Sequence, residues 1–574
     1  MTDAIISTGL VKRVGGAAVI DQVDFTMPSG ELWSVIAPRG GGRTTLIRLI
    51  AGLTRPDAGA IRIFGRDTVR EATAVQDIIG YVPQGVGSYD TLTVGENFKL
   101  HADLRGVTPD ICPARWRHVL GLSGLTHLTD HRAADLSLFA RRRLALACAL
   151  AAMPRLLLLD ELTAGLDPAS RMEMLDVLRR LAGDEKISIF MSTTYTDEAE
   201  RCDGVVFLTD GRRVACGAPR ELTALAARRM RAVAVTAADR HATAAWLRGQ
   251  DGVIDVEVQR TCLKVITDHP DREVPSQLTV ALPSATTAPR LDDAFVCLLH
   301  DRGVAMLAAP VLHATAPPRP PSGASVLEVR GLAARRHRRV LVHGIGLTIA
   351  PGEIVGLIGP DGPGRDLLIR LLCGLERPSA GVITIGGIDL GNDRRRALAR
   401  LAHIDSAASP YPDLAPVQIL QFFASAGSLR RAERESRIGS LLTELGLKDV
   451  AAVPSGSLST ALQWRVALAA ALVNAPALML LAAPRAHLDP LTRRLVWSDV
   501  GAVAAAGTGV LIASQATEDA ELCDRVLLLD FDRIAGPALP AKVAETAVQK
   551  RPGSATLAAL SALFARLRQG RSAG

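Results

Sequence analysis

The sequence repeats itself. Gly30-Glu31 matches Gly352-Glu353, Ala51-Gly52-Leu53-Thr54-Arg55-Pro56 matches Cys373-Gly374-Leu375-Glu376-Arg377-Pro378, and Leu136-Ser137 matches Leu458-Ser459, every pair 322 positions apart. One offset held from residue 30 to residue 137 is the mark of a tandem duplication, so the chain reads as two like domains. Length agrees: 574 residues exceed one core when domains hold roughly 100–200 residues.

Each copy contains an apolar run, Leu32–Ile36 or Ile354–Ile358, that leads through a glycine-rich segment into a helical pattern. The segments are Ala37-Pro38-Arg39-Gly40-Gly41-Gly42-Arg43-Thr44-Thr45 and Gly359-Pro360-Asp361-Gly362-Pro363-Gly364-Arg365-Asp366-Leu367. Both nearly spell the phosphate-binding loop G-x-x-x-x-G-K-[ST], in which backbone N–H groups cradle phosphates, the lysine reaches the outer phosphates and the hydroxyl holds Mg²⁺. Both carry Arg in place of Lys, and a planar guanidinium is not a compact ammonium. The strand–loop–helix order predicts an α/β fold.

Composition narrows the alternatives. With 48% hydrophobic and 22% charged residues the chain can bury sizeable cores. Cys112, Cys148, Cys202, Cys216, Cys262, Cys297, Cys373 and Cys523 stand singly, with no C-x-x-C pair, which excludes a disulfide scaffold or zinc site by pattern and fits a reducing cytoplasm. The start, Met1-Thr2-Asp3-Ala4-Ile5-Ile6-Ser7, lacks the pattern of a signal peptide. The net charge of +7 is spread out, without aromatic-interleaved basic clusters, so no nucleic-acid partner is expected. Val466 to Ala483 runs 18 residues without a charge, long enough for a membrane span. Asn474 and Pro476 interrupt it, however, and Leu144 to Leu159 has the same helix–Pro–strand shape with Arg155 inside, so a buried helix and strand are expected and no span. Between the copies, 225–307 mixes helical and strand-like segments and reads as a small α+β accessory domain; 308–325 is a Pro-rich linker.

Further motifs follow in each copy. In the first, Tyr81-Val82-Pro83-Gln84 precedes Leu156-Leu157-Leu158-Leu159-Asp160-Glu161, an apolar strand ending in two carboxylates, and then Ala164-Gly165-Leu166-Asp167. In this order and spacing the chain resembles the ATP-binding cassette (ABC) ATPases, most closely the duplicated ATP-binding subunits of bacterial drug exporters. The resemblance implies two tandem P-loop nucleotide-binding domains, each with a helical subdomain, at 1–224 and 326–540, with a tail carrying a short helix at 541–574. It implies ATP and Mg²⁺ as ligands, separate integral-membrane permease subunits as partners, and a place on the cytoplasmic face of the membrane. Glu161 and Gln84 become the catalytic candidates, with Glu161 polarising water. Thr44, Gln84 and Asp160 become the Mg²⁺ candidates. Pro38, Arg39, Gly40, Gly41, Gly42, Arg43, Thr44 and Thr45 would bind nucleotide, with Gly359, Gly362, Gly364 and Arg365 as their counterparts in the second copy.

The departures from the family pattern are unequal. In the first copy Ala37 replaces a loop glycine, Val14 stands near where an adenine-stacking aromatic is expected, and Thr194 replaces the switch histidine. In the second, Ala482-Ala483 replaces the carboxylate pair, Ser406 the glutamine, Asp366 the metal-binding hydroxyl and Gln515 the histidine. Cassettes of the family pair face to face, each phosphate loop meeting the other copy's L-S-G-G-Q signature. Here the first loop would meet Leu458-Ser459-Thr460-Ala461-Leu462, where Ser459 still offers a hydroxyl. The second would meet Leu136-Ser137-Leu138-Phe139-Ala140, where two bulky residues replace glycines. One competent site with slow or no hydrolysis is therefore expected. A nucleotide-sensing scaffold without turnover is the rival reading. A soluble translation factor of the same family would need a long charged helical linker, which the Pro-rich tether does not provide.

Overall fold

The computed structural model describes residues 3–538 except 39, 86, 109–111, 236–239, 260–261, 271–288, 304–309, 311, 313–324, 337–338, 359–362, 406–410, 428–429, 483–487, 489, 515–518, 521 and 531–532. Each copy of the repeat builds two sheets. In the first copy, Asp3–Val14 pairs antiparallel with Ala17–Pro28 and with Ala58–Ile63, which pairs with Arg66–Asp67. Along Ala17–Pro28, buried Val23, Phe25 and Met27 alternate with exposed neighbours, the pattern of a sheet solvated on one face.

The second sheet has six strands in the order Arg212–Gly217, Gly204–Thr209, Leu32–Ile36, Ser188–Ser192, Leu156–Asp160, Ile79–Val82. All its pairs are parallel except the first. Its middle four strands are buried at every position, because helices pack on one face and helix Arg43–Ile50 with the antiparallel sheet covers the other, leaving no polar side to present. Leu156 to Leu159 have no exposed surface, and each such side chain contributes about 1.5–3 kcal/mol on burial. The topology brings the carboxyl ends of Leu32–Ile36, Ser188–Ser192 and Leu156–Asp160 side by side, with Asp160 in register with Ser192.

Helices Val94–Leu104, Cys112–Ser123 and Leu138–Leu150 supply the helical subdomain, sharing a core that contains Phe98, Val119, Leu120 and Leu144. The second copy repeats the plan: Leu401–Ile404, Leu478–Ala482, Gly509–Ser514, Ile354–Ile358, Arg525–Asp530 and Arg533–Ala538 form its six-stranded sheet. Leu32 lies opposite Ile189 whereas Ile354 lies opposite Val510, so the offset of 322 drops to 321 before that strand. The second copy is one residue shorter than the first in the preceding loop.

The chain divides into two compact units, the first of residues 1–227, 289–303 and 487–491, the second of the rest. This splits the accessory segment expected as one domain over 225–307. The antiparallel sheet of Met230–Ala234, Cys262–Thr267 and Val253–Val258, with helix Arg240–Arg248, falls in the second unit. Helix Leu291–Asp301 belongs to the first because its apolar face is buried there: Phe295 stacks on Phe207 at 4.7 Å and Leu291 N donates to Glu200 at 2.7 Å. The uncharged run from Val466 falls on helix Thr460–Leu472 and strand Leu478–Ala482, as expected. Among the described residues no helix is long and apolar enough to cross a membrane. The helix expected within 541–574 lies outside the described residues.

One ion pair sets a stability prediction. Asp499, fully buried, accepts from Trp464 Nε1 at 3.1 Å and Arg465 Nη2 at 3.2 Å, and burial pushes its carboxyl up to about 6 against the pull of Arg465. Asp499→Ala strands the Arg465 charge in the core, with an expected cost of about 3–5 kcal/mol by chemical denaturation. Breaking the exposed Arg430–Glu433 pair with Glu433→Ala is expected to leave the denaturation midpoint close to that of the unaltered chain in the same assay.

Candidate functional site

The glycine loop of the first copy is built for close approach. Gly42 has φ +94°, and a Cβ there would meet Val19 O at 2.6 Å and Ile20 Cδ1 at 2.7 Å, so only glycine fits. Gly41 N donates to Pro38 O at 2.8 Å, and Gly40, at φ +80°, borders open space. Helix Arg43–Ile50, which carries Thr44 and Thr45 in its first turn, then begins with no capping side chain among the described residues. Such an end favours an anion. Arg39 lies outside the described residues.

The two carboxylates lie at the end of Leu156–Asp160, separated from Leu32–Ile36 by the strand Ser188–Ser192 that pairs with both. Asp160 is fully buried; its Oδ1 accepts from Ser192 Oγ at 2.7 Å, while its Oδ2 is buried without a hydrogen-bond partner. An orphaned carboxylate oxygen beside a phosphate loop fits a cation. Mg²⁺ is bound through one or two carboxylates together with a ligand's phosphates, and Asp160, with Thr44 and Gln84 as further donors, suits that need.

Glu161 adopts φ +52°, rare for a side-chain-bearing residue, and its N–H donates to Ser192 Oγ at 2.9 Å. Both its oxygens are engaged: Oε1 accepts from Arg43 Nη2 at 2.6 Å, and Oε2 from Gln84 Nε2 at 2.9 Å. Arg43 also donates to Ala37 O. The arginine expected to reach phosphates is therefore turned inward onto the catalytic candidate, with both partners of the pair buried. A guanidinium reaches two acceptors at once; an ammonium on a four-carbon stem has no such fork. Arg142 donates to Gln84 O and Gly85 O at 3.1 and 3.2 Å; burial lowers its pKa and Glu161 opposes that.

The second copy has lost this chemistry as a set. Where Asp160 registers with Ser192, Ala482 registers with Ala513. Losing both partners leaves no polar group unsatisfied in the core, whereas losing one would. Helix Pro363–Leu372 starts at the position matching Gly41, so Gly364 lies inside the helix instead of capping it. Pro fits a first helical position, where its missing N–H is not needed. Arg365 is buried, which lowers its pKa, and Asp366 beside it is exposed. Gly359, Gly362, Ser406, Ala483 and Gln515 lie outside the described residues.

Both signature serines cap helices, Ser137 accepting from Ala140 N at 3.2 Å and Ser459 from Leu462 N at 3.4 Å. Leu138 is 42% exposed, and Phe139 lies under the Arg143 guanidinium at 4.2 Å. Thr194 is buried. Reading the sequence alone missed Ser192, Arg142 and the fully buried Glu198. Ser192 had a signal, a hydroxyl ending an apolar strand; Arg142 was hidden in the run Arg141-Arg142-Arg143, which resembles a solvated face.

A two-sheet α/β plan with a helical subdomain, laid out twice, and in the first copy a glycine-lined anion site with a carboxylate pair two strands away in the same parallel sheet, define a class. The family described as ABC transporter matches residues 20–164 and 342–486, and the chain belongs to that family. A probable multidrug ABC transporter ATP-binding protein of Escherichia coli, YbhF, is 32% identical over 536 residues, 92% of each chain. A putative ABC transporter ATP-binding protein of Streptomyces avermitilis is 28% identical over 525 residues, 88% of each chain. The daunorubicin/doxorubicin resistance ATP-binding protein DrrA of Streptomyces peucetius is 35% identical over 222 residues, 38% of this chain and 67% of its own.

Proposed function

We propose that this chain is the ATP-binding subunit of an exporter, holding one Mg-ATP in the first cassette and acting on separate permease subunits at the inner face of the membrane. The observation that carries the reading is the contrast between the copies: Asp160, Ser192, Glu161 and Gln84 form one connected polar site, and the matching strand ends of the second copy are Ala482 and Ala513. Export is drawn from relatives named for multidrug transport, drug resistance and Nod factor export, and permease partners from the family resemblance.

In this reading the loop from Pro38 to Thr45 binds the phosphates, and Mg²⁺, when bound, neutralises their charge. Arg43 exchanges Glu161 for a phosphate, and the freed Glu161 polarises water while Gln84 keeps hold of its second oxygen. The segment from Gly85 to Leu104 is the proposed permease contact. Its loop is fixed from within by Asn97, fully buried, which accepts from Tyr89 N at 2.7 Å and donates to the carbonyls of Tyr89, Leu92 and Thr93. Tyr89 is left 54% exposed. In the second copy the corresponding segment, Ala407 to Ala424, presents Tyr411 at 41% exposure.

Mg-dependent phosphate release by the purified chain tests the reading against the scaffold alternative. Slow turnover that falls at least about 100-fold in Glu161→Gln is expected, since a general base contributes roughly that much. Release that persists unchanged in the variant would remove Glu161 from its role.

A further inference from the structure

Behind the site of the first cassette lies another buried carboxylate. Glu198, with no exposed surface, sits in the short helix Thr196–Ala199. Its Oε2 accepts from Thr163 Oγ1 at 2.9 Å and from Thr193 Oγ1 at 2.6 Å, and Arg171 Nε stands 3.4 Å from its Oε1. Arg171 also pairs with Asp197 and lies 3.8 Å over the Tyr195 ring. Burial pushes the Glu198 carboxyl up to about 7, with Arg171 pulling the other way. A carboxylate kept at that cost does something its neighbours need.

Its two threonines belong to different segments. Thr193 follows Ser192 and precedes Thr194. Thr163 lies two residues after Glu161, in a turn closed by Ala164 N donating to Glu161 O and Leu166 N donating to Thr163 O, each at 3.1 Å. The second cassette separates the two bonds. There Ser514 Oγ donates to the fully buried Asp519 Oδ2 at 2.5 Å, the counterpart of Thr193 with Glu198. Arg485 stands in sequence where Thr163 does, so no hydroxyl matches it. The bond within the switch segment thus persists in a copy whose matching strand ends in alanine, while the threonine of the turn is absent from its sequence along with the carboxylates.

We infer that Thr163 and Glu198 are positioning residues for Glu161: their hydrogen bond holds the turn after Glu161 and so aims its carboxylate, whereas Thr193 with Glu198 is a local brace of the switch segment. The left-handed backbone of Glu161 persists only where its surroundings over-determine it, and this bond is such a constraint. The inference rests on Glu161 being the water-polarising group.

Hydrogen exchange without nucleotide, on the full chain, reads the turn directly. In Thr163→Val the amides of Ala164 and Leu166 should exchange about tenfold faster, the loss of one hydrogen bond to the Glu198 carboxyl, with the rest of the chain unchanged. Thr163→Ser should restore protection, and Thr193→Val should loosen the segment around 193–199 instead. With Mg-ATP, Thr163→Val should lower kcat about tenfold at unchanged KM, rescued by Ser. Wild-type protection of the turn in Thr163→Val, or a loss spread over the whole unit, would overturn the inference, as would KM rising with kcat constant. Absence of turnover in every variant would count against the reading of Glu161, and the exchange pattern would still decide the role of the bond.

Discussion

Arg43→Lys combined with Thr194→His is expected to raise Mg-dependent ATP turnover at least about tenfold over the unaltered chain. In the present structure Arg43 donates to both Ala37 O and Glu161 Oε1, so the group that should polarise water is neutralised by the residue that should hold phosphate. Lysine lacks the planar fork that makes both contacts, and its compact ammonium suits a tight phosphate site. Thr194 is buried where the family pattern has histidine, and its hydroxyl cannot carry the positive charge of an imidazolium. Acid–base and electrostatic contributions each amount to roughly 100-fold or more, so recovering part of two of them exceeds tenfold. Adding Glu161→Gln to the double variant should cancel the gain. No gain from the double change would show that the Arg43–Glu161 pair is not what limits turnover.

Glu161→Gln by itself is expected to tighten binding of a non-hydrolysable ATP analogue about tenfold. Removing one charge of a buried pair leaves the other uncompensated, and Arg43, 9% exposed, then gains more from an anionic phosphate than it does in the paired state. Because the analogue is not turned over, slower hydrolysis cannot account for the tightening. In an Arg43→Ala background the Glu161→Gln effect should vanish, since a double-mutant cycle isolates the coupling between the two. Equal tightening with and without Arg43 would show that the Arg43–Glu161 pair is not its cause.

Much of this was legible in the sequence because it depends on spacing. The duplication, the strand–loop–helix around Gly42, the carboxylates ending Leu156–Asp160 and the split of the uncharged run from Val466 into helix and strand all follow from periodicity and offset. What spacing cannot show is where a long side chain turns. Arg43 reads as a phosphate ligand in sequence and is an ion-pair partner in the structure, because Glu161, 118 positions away, is brought within reach by strand order. Ser192 and Glu198 escaped for the same reason: their partners lie on other strands and turns. The accessory segment misled because helix Leu291–Asp301 has its own amphipathic face, and only Phe207 and Glu200 reveal which core that face joins.

In the proposed function the duplicated chain keeps one nucleotide site. Isothermal titration of Mg-ATP into the purified full chain measures it most directly. One site per chain is expected, weakened about tenfold or more by Asp160→Asn, as loss of a metal-binding carboxylate implies. Two equivalent sites per chain, or a single site indifferent to Asp160→Asn, would contradict the account.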